Sequence, residues 1–341
     1  MKKLRIEDAI GMPICHDMTK VVPGEYKGVA FKKGHIITEG DIPNLKKIGK
    51  EHIYVGEIPE GYVHEDDCAI RIANAICNPD NFNFSEVSEG KINIVSKYRG
   101  LLKIDKDKLY RLNNIEHVTI TTIFDNIVVN ADQKVASERI VPLMTKESNI
   151  LEVERLCANE KLLEVKEFIK QKIHLIVTGN EVYRGLIEDK FEGVLRKKAS
   201  EYGCDIVKVV KAPDDKEKIR KQIKTSYEEG AEIIMCSGGM SVDEDDLTPI
   251  AIKEESTELI VHGVPVQPGN MFLLSYINQV PIIGLPGAVI FHKNTILDVV
   301  LPMLACKDRL DKEFFIKLSL GGLCDMCKDC RYPHCTFGKG R

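Results

Sequence analysis

Between residues 172 and 305 the chain alternates short unbroken apolar runs with stretches whose apolar positions recur every three to four residues. The runs at 173–178, 204–210, 232–236 and 280–283 predict buried strands, a further extended piece falls at 261–266, and the periodic stretches 190–202, 215–229 and 289–305 predict amphipathic helices. Asp214 and Glu217, three apart, predict a capping box at the second helix. Strands joined by helices pair in parallel through right-handed crossovers. The expected fold class is therefore α/β, a three-layer domain with a mostly parallel sheet that receives ligands at the carboxyl ends of its strands.

Upstream the pattern is different. Residues 1–56 show short extended pieces (29–31, 35–38, 52–55) punctuated by Val22-Pro23-Gly24, Lys27-Gly28 and Lys33-Gly34, with Asp41 capping a short helix through Ile48. They read as a small β-rich module. In 57–170, Ala69, Ile70, Ile72, Ala73 and Ile76 give a helix after His64-Glu65 one apolar face, and Asn78-Pro79 stops it. Strands at 91–96, 101–104, 118–123 and 127–129 and a long helix over 149–169 make this an α+β region. His64 and His117 stand alone and read as structural. The expected divisions are 1–56, 57–170, 171–310 for the α/β domain, and 311–341 for a strand (315–320) and a cysteine-rich tail.

Composition sharpens this picture without overturning it. A chain of 341 residues, 43% hydrophobic and 29% charged, buries two or three cores and is not disordered. Its net charge of -4 gives no general attraction to nucleic acid or anionic membrane, and no local basic patch replaces it. No apolar run approaches the roughly 20 residues of a membrane span, and the opening MKKLRIEDAIGM lacks a signal peptide's apolar core. A cytoplasmic location is expected. Seven of the eleven cysteines (Cys15, Cys68, Cys77, Cys157, Cys204, Cys236, Cys306) lie in apolar or helical contexts and suit small buried hydrophobes.

The candidate chemistry centres on 234–249. There a strand leads into Ser237-Gly238-Gly239-Met240-Ser241, four acids from Asp243 to Asp246, and a helix start with Thr248 as N-cap and Pro249 behind it. Paired glycines let backbone N–H groups face one anion, and a helix start adds a positive dipole end. On the glycines alone, a tight strand-to-helix connection with no ligand is the better reading. The acids weigh against that plain connection: Asp189, at the end of the other strand-following loop (179–189), and Asp246 can hold a Mg²⁺ that bridges to phosphate. Asp243 is a further candidate, while Glu244 and Asp245 read as solvated. Two more turns, Gln267-Pro268-Gly269-Asn270 and Gly284-Leu285-Pro286-Gly287-Ala288, complete the set.

In this order and spacing, TGNEVYRG at 178–185 with Asp189, SGGMSVDEDDLTP at 237–249, VQPGN at 266–270 and GLPGAV at 284–289 resemble the molybdopterin-binding domain shared by molybdenum cofactor biosynthesis enzymes. The resemblance covers about 172–305. It implies binding of the pterin dithiolene phosphate (molybdopterin) or its adenylylated form, and a transferase role in adenylylation or molybdate insertion with Mg²⁺ and nucleotide. It places Glu181, Asp189 and Asp246 in catalysis, and Thr178, Gly179, Ser237, Gly238, Gly239, Ser241, Asp243, Pro268, Gly269, Asn270, Pro286 and Gly287 against the cofactor. It also implies a homo-oligomer. Gln267 and Asn270 replace the lysines usual in the insertase branch, Ala288 replaces an asparagine, and the N-terminal half lacks that branch's substrate-domain motif. A non-catalytic carrier delivering molybdopterin to a molybdenum enzyme is the alternative, followed by a nucleotide-processing enzyme on the same domain.

The tail CDMCKDCRYPHC carries Cys324, Cys327, Cys330 and Cys335. The C-x2-C-x2-C spacing favours metal binding: a [4Fe–4S] cluster first, Zn²⁺ with His334 as a substitute ligand second, a redox-active disulfide third.

Overall fold

The unbroken apolar runs form one six-stranded sheet. In the computed structural model, which describes every residue of 1–341 except Pro23, Val242, Asp245, Arg341 and the Lys27 side chain, its strands are β1 (Lys172–Thr178), β2 (Asp205–Ala212), β3 (Ile233–Ser237), β4 (Glu258–His262), β5 (Leu273–Ile277) and β6 (Val280–Leu285). They lie in the order β2-β1-β3-β6-β5-β4. The first four are parallel, and β5 and β4 close one edge antiparallel. Two clusters explain why the runs are unbroken. Ile173, Leu175, Val177, Ile233, Met235, Ile283 and Leu285 pack into one, and Ile176, Ile234, Cys236 and Ile282 into the other, so successive residues feed opposite faces.

Helices cover both faces. Leu195 of α2 (Phe191–Ser200) and all ten residues of α6 (Ile296–Ala305) are buried on the first side. Ile219 and Ile223 of α3 (Lys216–Glu228) and Ala251 and Ile252 of α4 (Thr248–Glu255) lie on the second. This is the expected three-layer α/β domain. Short helices α1 (Asn180–Tyr183), α5 (Ala288–Phe291) and α7 (Lys312–Lys317) complete it.

Several local expectations are corrected. The strand expected at 315–320 is α7, because Asp311 caps it by accepting from Phe314 N–H at 2.8 Å. The helix expected over 289–305 is two, since Thr295 starts α6 with its own capping box to Asp298. The long helix expected over 149–169 stops at Leu156, and Leu163–Lys166 is a strand whose Leu163 and Val165 point inward. Asp215, not Asp214, caps α3, accepting from Lys218 N–H at 3.0 Å. The piece at 261–266 ends at His262, where Gly263 turns the chain at φ 85°.

The chain divides into two compact units, one made of Met1–Arg99, Lys103–Ile123 and Val129–Val165, the other of Gly100–Leu102, Phe124–Val128 and Lys166–Arg341. The tail folds onto the core of the second unit, with Phe337 buried and Cys324, Tyr332 and Cys335 packed against it. In the first unit, Lys2–Arg5 pairs antiparallel with His52–Val55 over a core including Ile6, Ile14, Met18 and Leu45. The helix Glu65–Ile76 lies on a four-stranded antiparallel sheet of Phe82–Phe84, Lys91–Ser96, Lys134–Ile140 and Val118–Thr122. His64 caps that helix through Asp66 N–H at 3.2 Å, and His117 Nδ1 meets Thr145 Oγ1 at 3.0 Å, so both histidines have structural roles. Of the seven scattered cysteines, six are buried and Cys15 is half-buried. No helix among the described residues is long and apolar enough to cross a membrane.

Candidate functional site

Four loops gather at one edge of the six-stranded sheet. Those after β1, β3 and β6 leave the carboxyl ends of parallel strands. The turn 267–270 precedes β5, whose first residue Leu273 pairs with Gly284 near the end of antiparallel β6, which returns that turn to the same edge. The sheet thus places Thr178, Gly179, Glu181, Ser237, Gly238, Gly239, Ser241, Asp246, Pro268, Gly269, Pro286 and Gly287 along one edge, as the topology predicts.

The centre of that edge is tightly built. Buried Thr178 donates from Oγ1 to Ser237 O at 3.2 Å, and its Oγ1 lies 3.0 Å from Thr248 Oγ1. Thr248 is the first residue of α4, with Leu247 in the N-cap position, so its hydroxyl clasps the first loop rather than capping the helix as expected. Gly238 and Gly239 adopt φ of 92° and 55°. A Cβ on Gly238 would stand 2.2 Å from Thr178 O, and one on Gly239 2.8 Å from Thr248 Oγ1. The glycines are therefore needed for close approach of two loops, whatever else they do.

Two features remain once that packing is accounted for. Ser237 Oγ is buried with no hydrogen-bond partner among the described residues. The backbone N–H groups of Gly239, Met240 and Ser241 also find no acceptor among the described residues. A buried hydroxyl and a run of unclaimed N–H groups that begins on a left-handed glycine pair fit an anionic oxygen ligand such as a phosphate. Sequence reasoning missed one participant: Asp214, assigned to a helix cap, instead accepts from Asn180 N–H at 2.8 Å and fixes the loop after β1.

The carboxylates are arranged differently from expectation. Asp189 accepts from Phe191 N–H at 2.9 Å and Glu192 N–H at 3.0 Å, so both its oxygens cap α2. Glu181 is exposed in the first turn of α1, and Asp243 and Glu244 are exposed, while Asp246 is half-buried and donates its N–H to Asp243 O at 3.0 Å. Asp245 lies outside the described residues. Among the described residues no group of three or more His, Cys, Asp or Glu side chains stands assembled for a metal ion. Both Asp189 oxygens are taken by the α2 cap, and the four tail cysteines do not stand gathered among the described residues.

The outer turns are held by packing. Pro268 and Gly269 are buried, Pro268 O accepts from Ile296 N–H at 3.2 Å, and a Cβ on Gly269 would meet Ile296 Cγ2 at 2.7 Å. Gln267 and Asn270 flank them, exposed and uncharged. Pro286 O accepts from Val289 N–H at 3.1 Å as α5 begins. The tail joins here: Gln267 N–H donates to Gly322 O at 2.8 Å and Cys324 N–H to Gln267 O at 2.9 Å. Cys324, Cys327, Cys330 and Cys335 all line one cavity of about 320 Å³ with Pro268 in its wall.

Fold and edge together define an α/β ligand-binding domain. Residues 174–305 match the family described as "Probable molybdopterin binding domain". Residues 3–57 match a domain of unknown function. The chain is 40% identical over 86 residues to a "Putative molybdopterin biosynthesis protein" of Methanocaldococcus jannaschii, covering 25% of this chain and 21% of that one. It is 23% identical over 167 residues to a molybdopterin molybdenumtransferase of Synechococcus elongatus (46% and 41%) and 36% identical over 80 residues to a CinA-like protein of Petrotoga mobilis (24% and 20%). The chain thus spans from a fifth to two fifths of these curated relatives. Among solved structures, a molybdopterin biosynthesis enzyme of Thermus thermophilus aligns at a TM-score of 0.35 and 20% identity, over 39% of this chain and 91% of that one.

Proposed function

We propose that residues 172–305 bind molybdopterin or its adenylylated form by its phosphate, and that the chain acts as a transferase in molybdenum cofactor maturation. The observation that carries this reading is the partnerless Ser237 Oγ beside the unclaimed N–H groups of 239–241, at a sheet edge within the residues that match the molybdopterin-binding family. In this reading Ser237 and the glycine loop hold the phosphate oxygens, and Thr178 and Thr248 lock that loop in place. Fixed N–H donors stabilise the negative charge that develops as a phosphoanhydride opens, without reorganising when it does. Asp246 and Glu181 stand beside the loop as the carboxylates that position the reacting group; Asp189 orients α2. Both Asp189 oxygens are engaged in capping α2, which leaves Asp246 as the carboxylate of the expected pair that would meet a phosphate-bound Mg²⁺.

The experiment is binding and turnover with adenylylated molybdopterin and molybdate. Asp246→Asn is expected to lower AMP release at least tenfold with its melting temperature changed by less than about 2 °C, in line with a surface substitution. Equal turnover in the variant would remove Asp246 from catalysis. The uncharged Gln267 and Asn270 favour a second reading, a carrier that docks on a molybdenum enzyme. A carrier binds the adenylylated pterin and releases no AMP.

A further inference from the structure

The cavity beside the turn 267–270 accounts for the part of the tail that the pterin reading leaves unused. Its wall carries four free thiols, from Cys324, Cys327, Cys330 and Cys335. Three cationic side chains, Lys293, Lys328 and Arg331, line it against a single carboxylate, Asp325. Asn294 Nδ2–H donates to Cys330 Sγ at 2.8 Å, the kind of bond from outside the ligand set that orients a thiolate and supports its charge. The segment bearing the thiols, 323–336, contains no helix or strand. It is anchored at both ends, by Gln267 and by Gly338 N–H to Gly321 O at 2.9 Å.

Spacing, thiols and charge converge on one occupant. We infer that this cavity is the site of a tetrathiolate metal centre, a Zn²⁺ or a [4Fe–4S] core ligated by Cys324, Cys327, Cys330 and Cys335. Four thiolates about either species give a centre of charge about -2. Lys293, Lys328 and Arg331 are exposed residues of that wall, and their charge in excess of Asp325 has the sign that attracts a centre of charge about -2. The described thiols are not converged. The segment is pinned in its middle, where Tyr332 O–H donates to Asp298 O at 2.8 Å, but the stretch before it has no helix or strand to break, so Cys324 and Cys327 can close toward Cys330 and Cys335 with the surrounding helices unmoved. Four thiols lose their protons to solvent as four metal–sulfur bonds form; no electron is transferred, because Zn²⁺ keeps its oxidation state and a cluster's four sulfides enter with two ferrous and two ferric ions.

The inference does not depend on the pterin reading, and one set of proteins separates the two. The full chain, purified without oxygen, is assayed for zinc, iron and acid-labile sulfide. The metal-stripped chain is then titrated with Co²⁺ and reconstituted separately with Zn²⁺ and with equal amounts of Fe²⁺ and Fe³⁺ plus sulfide. About one zinc, or about four irons with sulfide, is expected per chain, and the two arms tell which. Thiolate-to-Co²⁺ absorption is expected in the wild type and at least tenfold weaker affinity in Cys327→Ser, an exposed thiol whose replacement leaves the melting temperature of the metal-stripped chain unchanged. Asp246→Asn is expected to bind metal as the wild type does. A wild type that binds no more metal than Cys327→Ser in every arm overturns the inference, and does so whether or not pterin binds.

Discussion

Glu138 is buried in the first unit, on the strand Lys134–Ile140, and Glu65 is buried with it. Burial pushes the Glu138 carboxyl up to about 9, with the Ile92 backbone and Arg139 only partly opposing, and neither carboxyl oxygen finds a hydrogen-bond partner among the described residues. Glu65 is raised to about 7, by burial and then by Asp66. In the unfolded chain both titrate near 4.5. Above that pH the folded state keeps protons that the unfolded state has lost, so these groups favour folding fully below 4.5 and progressively less as pH rises through 7 and 9. Glu138→Gln is expected to flatten the decline, raising the melting temperature by several degrees at pH 8.5 and by much less at pH 5; thermal scans across that range check it. Residue by residue, the candidate site was readable in part. The glycine loop, Ser237 and the Pro-Gly turns stood out because three separated motifs agree in order and spacing, although each alone is an ordinary end to an apolar run. Asp189 and Asp214 did not, because a carboxylate that caps a helix and one that braces a loop look alike until the backbone N–H groups around them are placed.

At the scale of elements, α6 has the most to lose at its first turn. All ten of its residues are buried, so its N-terminal N–H groups cannot turn to water. Thr295 and Asp298 satisfy them reciprocally, with Asp298 Oδ2 accepting from Thr295 N–H at 2.7 Å and Thr295 Oγ1 from Leu297 N–H at 3.2 Å. Lys198 pairs with the other Asp298 oxygen. Thr295→Ala is expected to cost about 1–2 kcal/mol in urea unfolding, at the upper end for a cap because the site is dry. The strands of the α/β domain were legible because burial on both faces writes itself as unbroken apolar runs. The elements misread were those where two periods coincide. Leu162, Leu163 and Val165 suit a helix as well as a strand, and a tail helix of six residues is too short to show its period; only Asp311, three before Phe314, announced it.

At the scale of the molecule, the second unit is not one run of sequence. Gly100–Leu102 and Phe124–Val128 belong to it although the chain around them belongs to the first. Leu101 is fully buried in the cluster that holds Ile173, Met235 and Leu285, and Val128 packs against it. Leu101→Ala in the full chain is expected to cost the second unit about 2–5 kcal/mol, the range for a buried leucine. Hydrogen exchange reports it as faster opening of β1 and β3 amides, with protection in Lys91–Ser96 less affected. No expected boundary anticipated this, since a three-residue apolar segment in a strand gives no sign of which core it fills. During synthesis, at about 5–20 residues per second, these two segments emerge from the ribosome before any strand of the sheet they complete. Each nascent chain therefore carries exposed apolar surface for roughly 10–40 s until β1, β3 and β6 have all arrived, and a ribosome stalled between residues 130 and 280 displays the surface that holdase chaperones bind.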